Sequence, residues 1–330
     1  MTALVTGASG FLGGRLVQML AADGVPVRIL ARGGADLHHL AGLSIELVGG
    51  NLADAQVLAA AVRGITHIYN CAGCSTDWAP EATFFSANVE GVRNLLGAAT
   101  AEGSLRRFLH VSTTDVYGYP SVPCDESGPT ADVGLPYNRT KRLGEECVWE
   151  AQRSSGLPVT VIRPATIFGP RGKAFTTVIA QHIRRGSMAV IDGGRTPGGF
   201  CYVDNAVRAI MQAAAAPGAE GRAYNIADGT GKTWREYVDA LADALGKRRP
   251  VLDLSAKVAL PLARCLEACH GALHLPGRPL LTRHAVYLFS RNQEYPIERA
   301  RRDLDFSPQV GFAEGIARAV EWLHHEQAGT

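Results

Sequence analysis

Through its first half the chain alternates short apolar runs with longer segments whose apolar positions recur every three or four residues. Ala3-Leu4-Val5 is the first run, and Leu12, Leu16 and Leu20 mark a helix from Phe11 to Ala22. Gly24 ends that helix, and Val25 to Ala31 reads as the second strand. Ile45 to Val48 is a third strand, followed by a helix around Ala55 to Val62 and a fourth strand at Ile65 to Asn70. A long helix over Phe84 to Glu102, a strand at Arg107 to Ser112, a helix at Tyr137 to Ser154 and a strand at Val159 to Arg163 complete the series. Alternation of this kind predicts an α/β fold in which helices wrap a parallel sheet.

After Gly169-Pro170 the rhythm changes, and Pro197-Gly198-Gly199, Pro261 and Pro276-Gly277 interrupt irregularly spaced helices. Two short pieces, Cys201-Tyr202-Val203 and Ala223 to Ile226, still read as strands that rejoin the sheet. The expected layout is therefore a first domain over residues 1–168, rejoined by 200–228. Residues 169–199 and 229–330 form a smaller, mainly helical, interleaved lobe. Residues 256–275 carry an amphipathic helical pattern with Lys257, Arg264 and Glu267 on its polar side. A lid, a membrane-surface helix and simple core packing all fit that pattern.

Charge and cysteine usage narrow the setting. Lys+Arg 33 against Asp+Glu 31 leaves a net charge of +2, which offers no footprint for nucleic acid. The basic runs Arg184-Arg185, Lys247-Arg248-Arg249 and Arg299 to Arg302 read as solvated helix faces or ends. The longest apolar stretches meet a charge or proline well before the roughly 18 residues of a membrane span. No signal-peptide pattern precedes the first strand, and seven scattered cysteines suit reduced thiols. A cytoplasmic protein without a membrane span is expected, with peripheral membrane contact left open.

The loop Thr6-Gly7-Ala8-Ser9-Gly10-Phe11-Leu12-Gly13 follows a strand and opens a helix, the context that makes a glycine pattern a dinucleotide site. Gly7 permits the tight turn, Gly10 lets the backbone approach a pyrophosphate, and Gly13 lets helix pack on strand. Ser9, Phe11 and Leu12 stand where free amides and the positive helix end meet the phosphates. A doubly wound, Rossmann-type sheet follows. At the end of the second strand, Val27 to Arg32 contains no carboxylate to hold a ribose 2′-hydroxyl. Arg32 there suits a 2′-phosphate, so NADP(H) is expected over NAD(H), with Arg28 on the same side as a weaker aid.

Tyr137 and Lys141 stand four residues apart in Tyr137-Asn138-Arg139-Thr140-Lys141, on one face of a helix. A neighbouring ammonium favours the ionised phenol and is expected to lower its pKa toward working pH. Such a tyrosine suits proton exchange with an alcohol or a developing alkoxide.

Taken together these motifs resemble the extended short-chain dehydrogenase/reductase family, which includes nucleotide-sugar epimerases and 3β-hydroxysteroid dehydrogenases. The resemblance spans essentially the whole chain. It rests on Thr6 to Gly13, Asn51-Leu52-Ala53-Asp54, Cys71-Ala72-Gly73, Asn88-Val89-Glu90-Gly91, Val111-Ser112-Thr113, Tyr137 to Lys141, and Arg163-Pro164 with Gly169-Pro170. It implies that Asn51 and Leu52 lie beside adenine, with Asn51 in place of the usual aspartate. It implies too that Cys71, Ala72 and Gly73 line the nucleotide cleft, and that Pro164 and Ile167 join the cofactor-binding set. Thr113 would be the third catalytic member, its hydroxyl on the substrate oxygen beside Tyr137, and Lys141 would also hold the nicotinamide ribose. A homodimer through two helices of the nucleotide-binding half is common in the family.

Within the family, sugar dehydratases carry Asp then Glu after the catalytic threonine, whereas this chain has Thr114 then Asp115. Epimerases place an asparagine where Thr166 stands. Thr76-Asp77-Trp78, Leu281-Thr282-Arg283, Tyr295-Pro296-Ile297 and Ala300 to Leu304 resemble hydroxysteroid dehydrogenases and reductases of long-chain 2-alkyl-3-oxo acids. Thr76, Trp78, Thr114, Thr166 and Tyr202 are the expected substrate-side residues. The expectation is an NADP-dependent oxidoreductase interconverting a secondary alcohol and a ketone on an apolar substrate. The alternatives are a redox-neutral nucleotide-sugar epimerase and a non-catalytic NADP(H) sensor. No metal is expected: Cys71 and Cys74 lack a second ligand pair, and Cys265, Cys269 and His270 sit on an apolar helical stretch. Asp204 reads as a helix cap, and His38-His39 and His324-His325 as surface positions.

Overall fold

A computed structural model describes residues 1–328. The first half is strand β1 (Ala3–Thr6), helix α1 (Phe11–Ala22), β2 (Val27–Ala31), β3 (Ile45–Gly49), α2 (Ala55–Val62), β4 (His67–Asn70), α3 (Glu81–Phe85), α4 (Gly91–Glu102), β5 (Arg107–Val111), α5 (Pro136–Ser155) and β6 (Val159–Pro164). These elements match the hydrophobic periodicity to within a few residues at their ends, the usual fraying margin. The segment expected as one long helix is α3 and α4 joined by a π-helical turn at Ser86–Glu90. Asn88 in that turn is buried and holds the Cys74 N–H at 2.8 Å, the Cys74 carbonyl at 3.1 Å and the Thr140 hydroxyl at 3.1 Å. A β-carbon on Gly144 would stand 2.1 Å from the Asn88 carbonyl, so glycine is what lets α5 close on the turn.

The later elements are β7 (Thr166–Phe168), α6 (Ile179–Arg184), β8 (Ala189–Ile191), β9 (Phe200–Tyr202), α7 (Val203–Ala215), β10 (Arg222–Ile226), α8 (Trp234–Ala244), β11 (Leu252–Leu254), α9 (Ala256–Ala272), α10 (Arg283–Ser290), α11 (Glu298–Leu304) and α12 (Phe312–Ala328). The main sheet has seven parallel strands in the order β10-β6-β5-β4-β1-β2-β3. Chain order reverses between β1 and β4, the point where such sheets open a crevice at their carboxyl ends. This is a Rossmann-type fold, as the glycine loop predicted.

Of the two late strands expected to rejoin the sheet, Ala223 to Ile226 does so within β10, beside β6. Cys201-Tyr202-Val203 does not. β9 pairs instead with β7 in a separate two-stranded ribbon, and β8 pairs with β11 in another. The open edge of β6 is already taken by β10, and Val203 begins α7, whose buried face packs on α1 and β5.

Helix α9 packs Ala259 and Ala263 in a small core with Ile191 and Val286. Its outward side carries Lys257 and Arg264, as expected, but also exposed Val258, Leu262, Cys265 and Cys269. Glu267 is drawn inward by Arg283 of α10. Among the described residues no helix is long and apolar enough to cross a membrane.

Candidate active site

The glycine loop is built by close approach. Thr6 joins β1 to β4 by donating to Asn70 Oδ1 at 2.7 Å and accepting the Ala72 N–H at 3.2 Å. Gly7 has φ +72°, and a β-carbon there would stand 2.7 Å from the Cys71 carbonyl and the Ala72 nitrogen. A β-carbon on Gly13 would stand 2.3 Å from the Gly7 oxygen. Gly10 caps α1 with no side-chain hydrogen bond, leaving the first amides and the positive helix end free for an anion. The loop therefore fits a dinucleotide pyrophosphate.

Two residues close over this loop from elsewhere. His39 brings Nε2 to 3.1 Å from the Ala8 carbonyl, and Arg171 donates to the Ser9 carbonyl at 3.3 Å. Gly14 makes room for both, because a β-carbon there would stand 2.4 Å from His39 Nε2 and 2.7 Å from Arg171 Nη1. His39 is thus part of the cleft and not the surface position its sequence suggested. Nothing in the local sequence distinguishes it from His38, which is exposed.

Arg32 stands just past β2, exposed on the cleft wall, with no side-chain partner among the described residues. Arg28 does not assist it. Its guanidinium pairs with Glu46 at 2.8 Å and donates to the carbonyls of Ala61 at 2.9 Å and Arg63 at 2.8 Å. Those carbonyls belong to the end of α2, where unpaired backbone acceptors attract a cation.

Thr113 lies two residues past the end of β5 and caps the 3₁₀ turn Thr114–Tyr117, its hydroxyl accepting the Asp115 N–H at 3.2 Å. Tyr137 and Lys141 come one turn apart on α5, which Pro136 starts at its first position. Lys141 is buried and its Nζ donates to the Val111 carbonyl at 2.7 Å. Burial brings that ammonium down to about 8, against the upward pull of Glu145, Cys71 and Asp115. Burial holds the Tyr137 phenol well above the usual tyrosine range, the Asp115 charge adds to this, and a hydrogen bond with Thr113 opposes it. The phenol is thus held up and not lowered as the spacing led one to expect, because burial outweighs the opposing hydrogen bond. The Cys71 thiol is pushed up to about 12 by burial, which makes it a packing residue and not a thiolate.

A continuous cleft of about 2770 Å³ runs along the carboxyl ends of the strands. It is lined by Gly7, Ser9, Gly10, Phe11, Leu12 and Gly13, by Arg32, Asn51 and Leu52, and by Cys71, Ala72, Gly73, Pro164 and Ile167. Thr113, Tyr137 and Lys141 line it as well, as do Thr76, Thr114, Thr166 and Tyr202. Trp78 stands apart from the main cleft. It borders a small side cavity of about 60 Å³ and packs edge-on against His270 at 5.6 Å. Asp204, expected as a cap, instead forms a bidentate pair with Arg15 of α1 at 2.7 and 2.9 Å.

Sequence reasoning missed Asp115 and His284. Both are buried, and His284 Nε2 lies 3.0 Å from Asp115 Oδ2. In the sequence Asp115, two residues after Thr113, bears only on the comparison with dehydratases, and no spacing links it to His284 on α10. Also missed was the buried pair of Arg163 on β6 with Glu145 on α5, which Tyr117 completes by accepting from Arg163 at 2.7 Å.

The family model for the NAD dependent epimerase/dehydratase family matches residues 3–227, the segment holding the glycine loop, Thr113, Tyr137 and Lys141. The chain belongs to that family. Similar proteins include a 2-alkyl-3-oxoalkanoate reductase of Stenotrophomonas maltophilia, 32% identical over 96% of this chain and 98% of that protein. A 4-hydroxy-2-methyl-3-oxo-4-farnesyl-3,4-dihydroquinoline-1-oxide ketoreductase of Stigmatella aurantiaca is 30% identical over 96% of this chain and 95% of its own length. The solved structure of a UDP-glucose 4-epimerase from Thermotoga maritima shares the fold, with a TM-score of 0.81, 21% identity and coverage of 99% of this chain and 100% of that one. This family member is an NAD(P)-dependent dehydrogenase/reductase.

Proposed function

We propose that this enzyme uses NADP(H) to interconvert a secondary alcohol and a ketone on a hydrophobic, steroid-like or long-chain 3-oxo substrate. The observation that carries the reading is the convergence of Thr113, Tyr137 and Lys141 on one cleft at the switch point of the sheet. When bound, the nicotinamide supplies hydride transfer at the carbonyl carbon. The glycine loop holds the pyrophosphate, Asn51 and Leu52 border the adenine, and Arg32 meets the 2′-phosphate. Tyr137 gives its proton to the oxygen as negative charge develops there, and Thr113 donates a hydrogen bond to that oxygen. Lys141 would hold the ribose, and its charge would favour the ionised phenol.

The remaining wall supports an apolar substrate. Phe175, Met188, Leu288 and Phe289 line the cleft together with Thr114, Thr166 and Tyr202. The two similar reductases named above act on carbonyls borne on alkyl or farnesyl compounds, by their names. The test is nicotinamide absorbance on mixing the protein and NADPH with ketosteroids and long-chain 3-oxo compounds, with NADH in parallel. Oxidation of NADPH by a member of the panel supports the reading. Epimerisation of a UDP-sugar with no net change in nicotinamide, and no turnover of any ketone, overturns it.

A further inference from the structure

The loop after β5 and helix α10 meet beside the phenol, although far apart in the chain. Asp115 Oδ2 accepts the Tyr119 hydroxyl at 2.8 Å and faces His284 Nε2 at 3.0 Å, with all three residues buried. The imidazole of His284 then lies against the Tyr137 ring, centroids 5.3 Å apart and planes within 23°. Phe84 packs on the same ring at 6.4 Å, tilted by 59°.

The backbone of Asp115 serves the same group of residues. Its N–H donates to the Thr113 hydroxyl at 3.2 Å, and its carbonyl accepts Nδ2 of Asn138, the neighbour of Tyr137, at 2.6 Å. One residue thus ties Thr113, the first turn of α5 and the imidazole into one unit. Helix α10 is itself clamped. Its cap Thr282 donates to Asp77 at 3.0 Å, and Arg283 pairs with Glu267.

We propose that Asp115 and His284 are positioning residues for the proton donor: Asp115 orients the imidazole, and the imidazole seats the Tyr137 ring and screens it from the Asp115 charge. The inference rests on the reading of Tyr137 as the proton donor. His284 Nδ1 is buried and has no partner among the described residues, so the hydrogen belongs on Nε2, where Asp115 accepts it. With its hydrogen on Nε2 the ring gives Asp115 a donor. The ionisable groups around His284 are Asp115 and Tyr119 from the loop and Tyr137 from α5. Beyond them stand two ion pairs, Arg283 with Glu267 and Arg278 with Asp77.

The variants H284F, Y119F and D115N separate these roles. H284F keeps an aromatic plate but removes one donor to Asp115, Y119F removes the other, and D115N removes the charge. Carbon-13 tyrosine NMR on the full chain with oxidised dinucleotide bound follows the ionisation of Tyr137, its signal identified by its loss in Y137F. The midpoint should rise by about half a pH unit or more in H284F, rise less in Y119F and fall in D115N. Midpoints that stay fixed, or that move the same way in H284F and D115N, overturn the proposal. Should D115N fail to fold, H284F and Y119F still decide it. The titration needs no substrate, so it reads out even if the ketone panel gives no turnover.

Discussion

Lys141 donates to the carbonyl of Val111 at 2.7 Å, which fastens α5 to the end of β5 one turn from Tyr137. A buried ammonium must place its donors on acceptors, and the last carbonyl of a strand is one that the sheet ladder leaves free. The lysine therefore has a structural partner of its own within the protein.

That arrangement has a signature in stability. The folded chain loses the Lys141 proton near pH 8, whereas an unfolded lysine holds it to about 10.4. Between those values the unfolded state binds more protons, so stability rises with pH. The group's penalty is fully present below the window and is relieved across it, by an amount of order 3 kcal/mol. Lys141→Met should remove this slope, and saturating dinucleotide should flatten it in the native protein. Urea unfolding below, within and above the window measures both.

Tyr137→Phe should lower turnover by at least about two orders of magnitude. The dinucleotide dissociation constant should change little, because the ring and its stacking partners remain. Near-normal turnover would remove Tyr137 from the chemistry, and steady-state kinetics with parallel fluorescence titration would reveal it.

Arg32→Ala should weaken NADPH binding by about 10- to 100-fold, the worth of one charge-assisted contact to a phosphate. NADH affinity should be unaffected. Equal loss for both cofactors, in calorimetric titrations run side by side, would move the 2′-phosphate contact elsewhere.

Glu145 and Arg163 are buried, and their pair joins α5 to β6, with Tyr117 passing the contact on to Asn225 of β10 at 2.7 Å. Glu145→Ala leaves the guanidinium uncompensated and should cost about 3–5 kcal/mol. Replacing both partners by apolar residues of similar size should cost much less. Denaturant midpoints of the single and double variants test this.

Much of the architecture was legible locally. Strand and helix identity from Ala3 to Arg163 followed from apolar spacing, since each element must bury one face or be buried on both. Gly7, Gly10 and Gly13 were readable because their role is steric and confined to a few neighbours. Tyr137 and Lys141 were readable because helical periodicity alone puts them on one face. The break at Ser86–Glu90 was not. It depends on Asn88 meeting Cys74 and Thr140, partners that no local pattern announces.

By itself, then, the sequence determined the α/β repeat, the phosphate-binding turn and the shared face of Tyr137 and Lys141. These depend on contacts within one or two turns of chain. Only the tertiary structure decided that Lys141 binds Val111, that Arg28 turns to the end of α2, that β9 leaves the main sheet, and that His39 and Arg171 close over Gly14. It also brought Asp115 and His284 to Tyr137. Such pairings join residues far apart in sequence, so they form only where packing of whole elements repays the entropy of closing the loops between them.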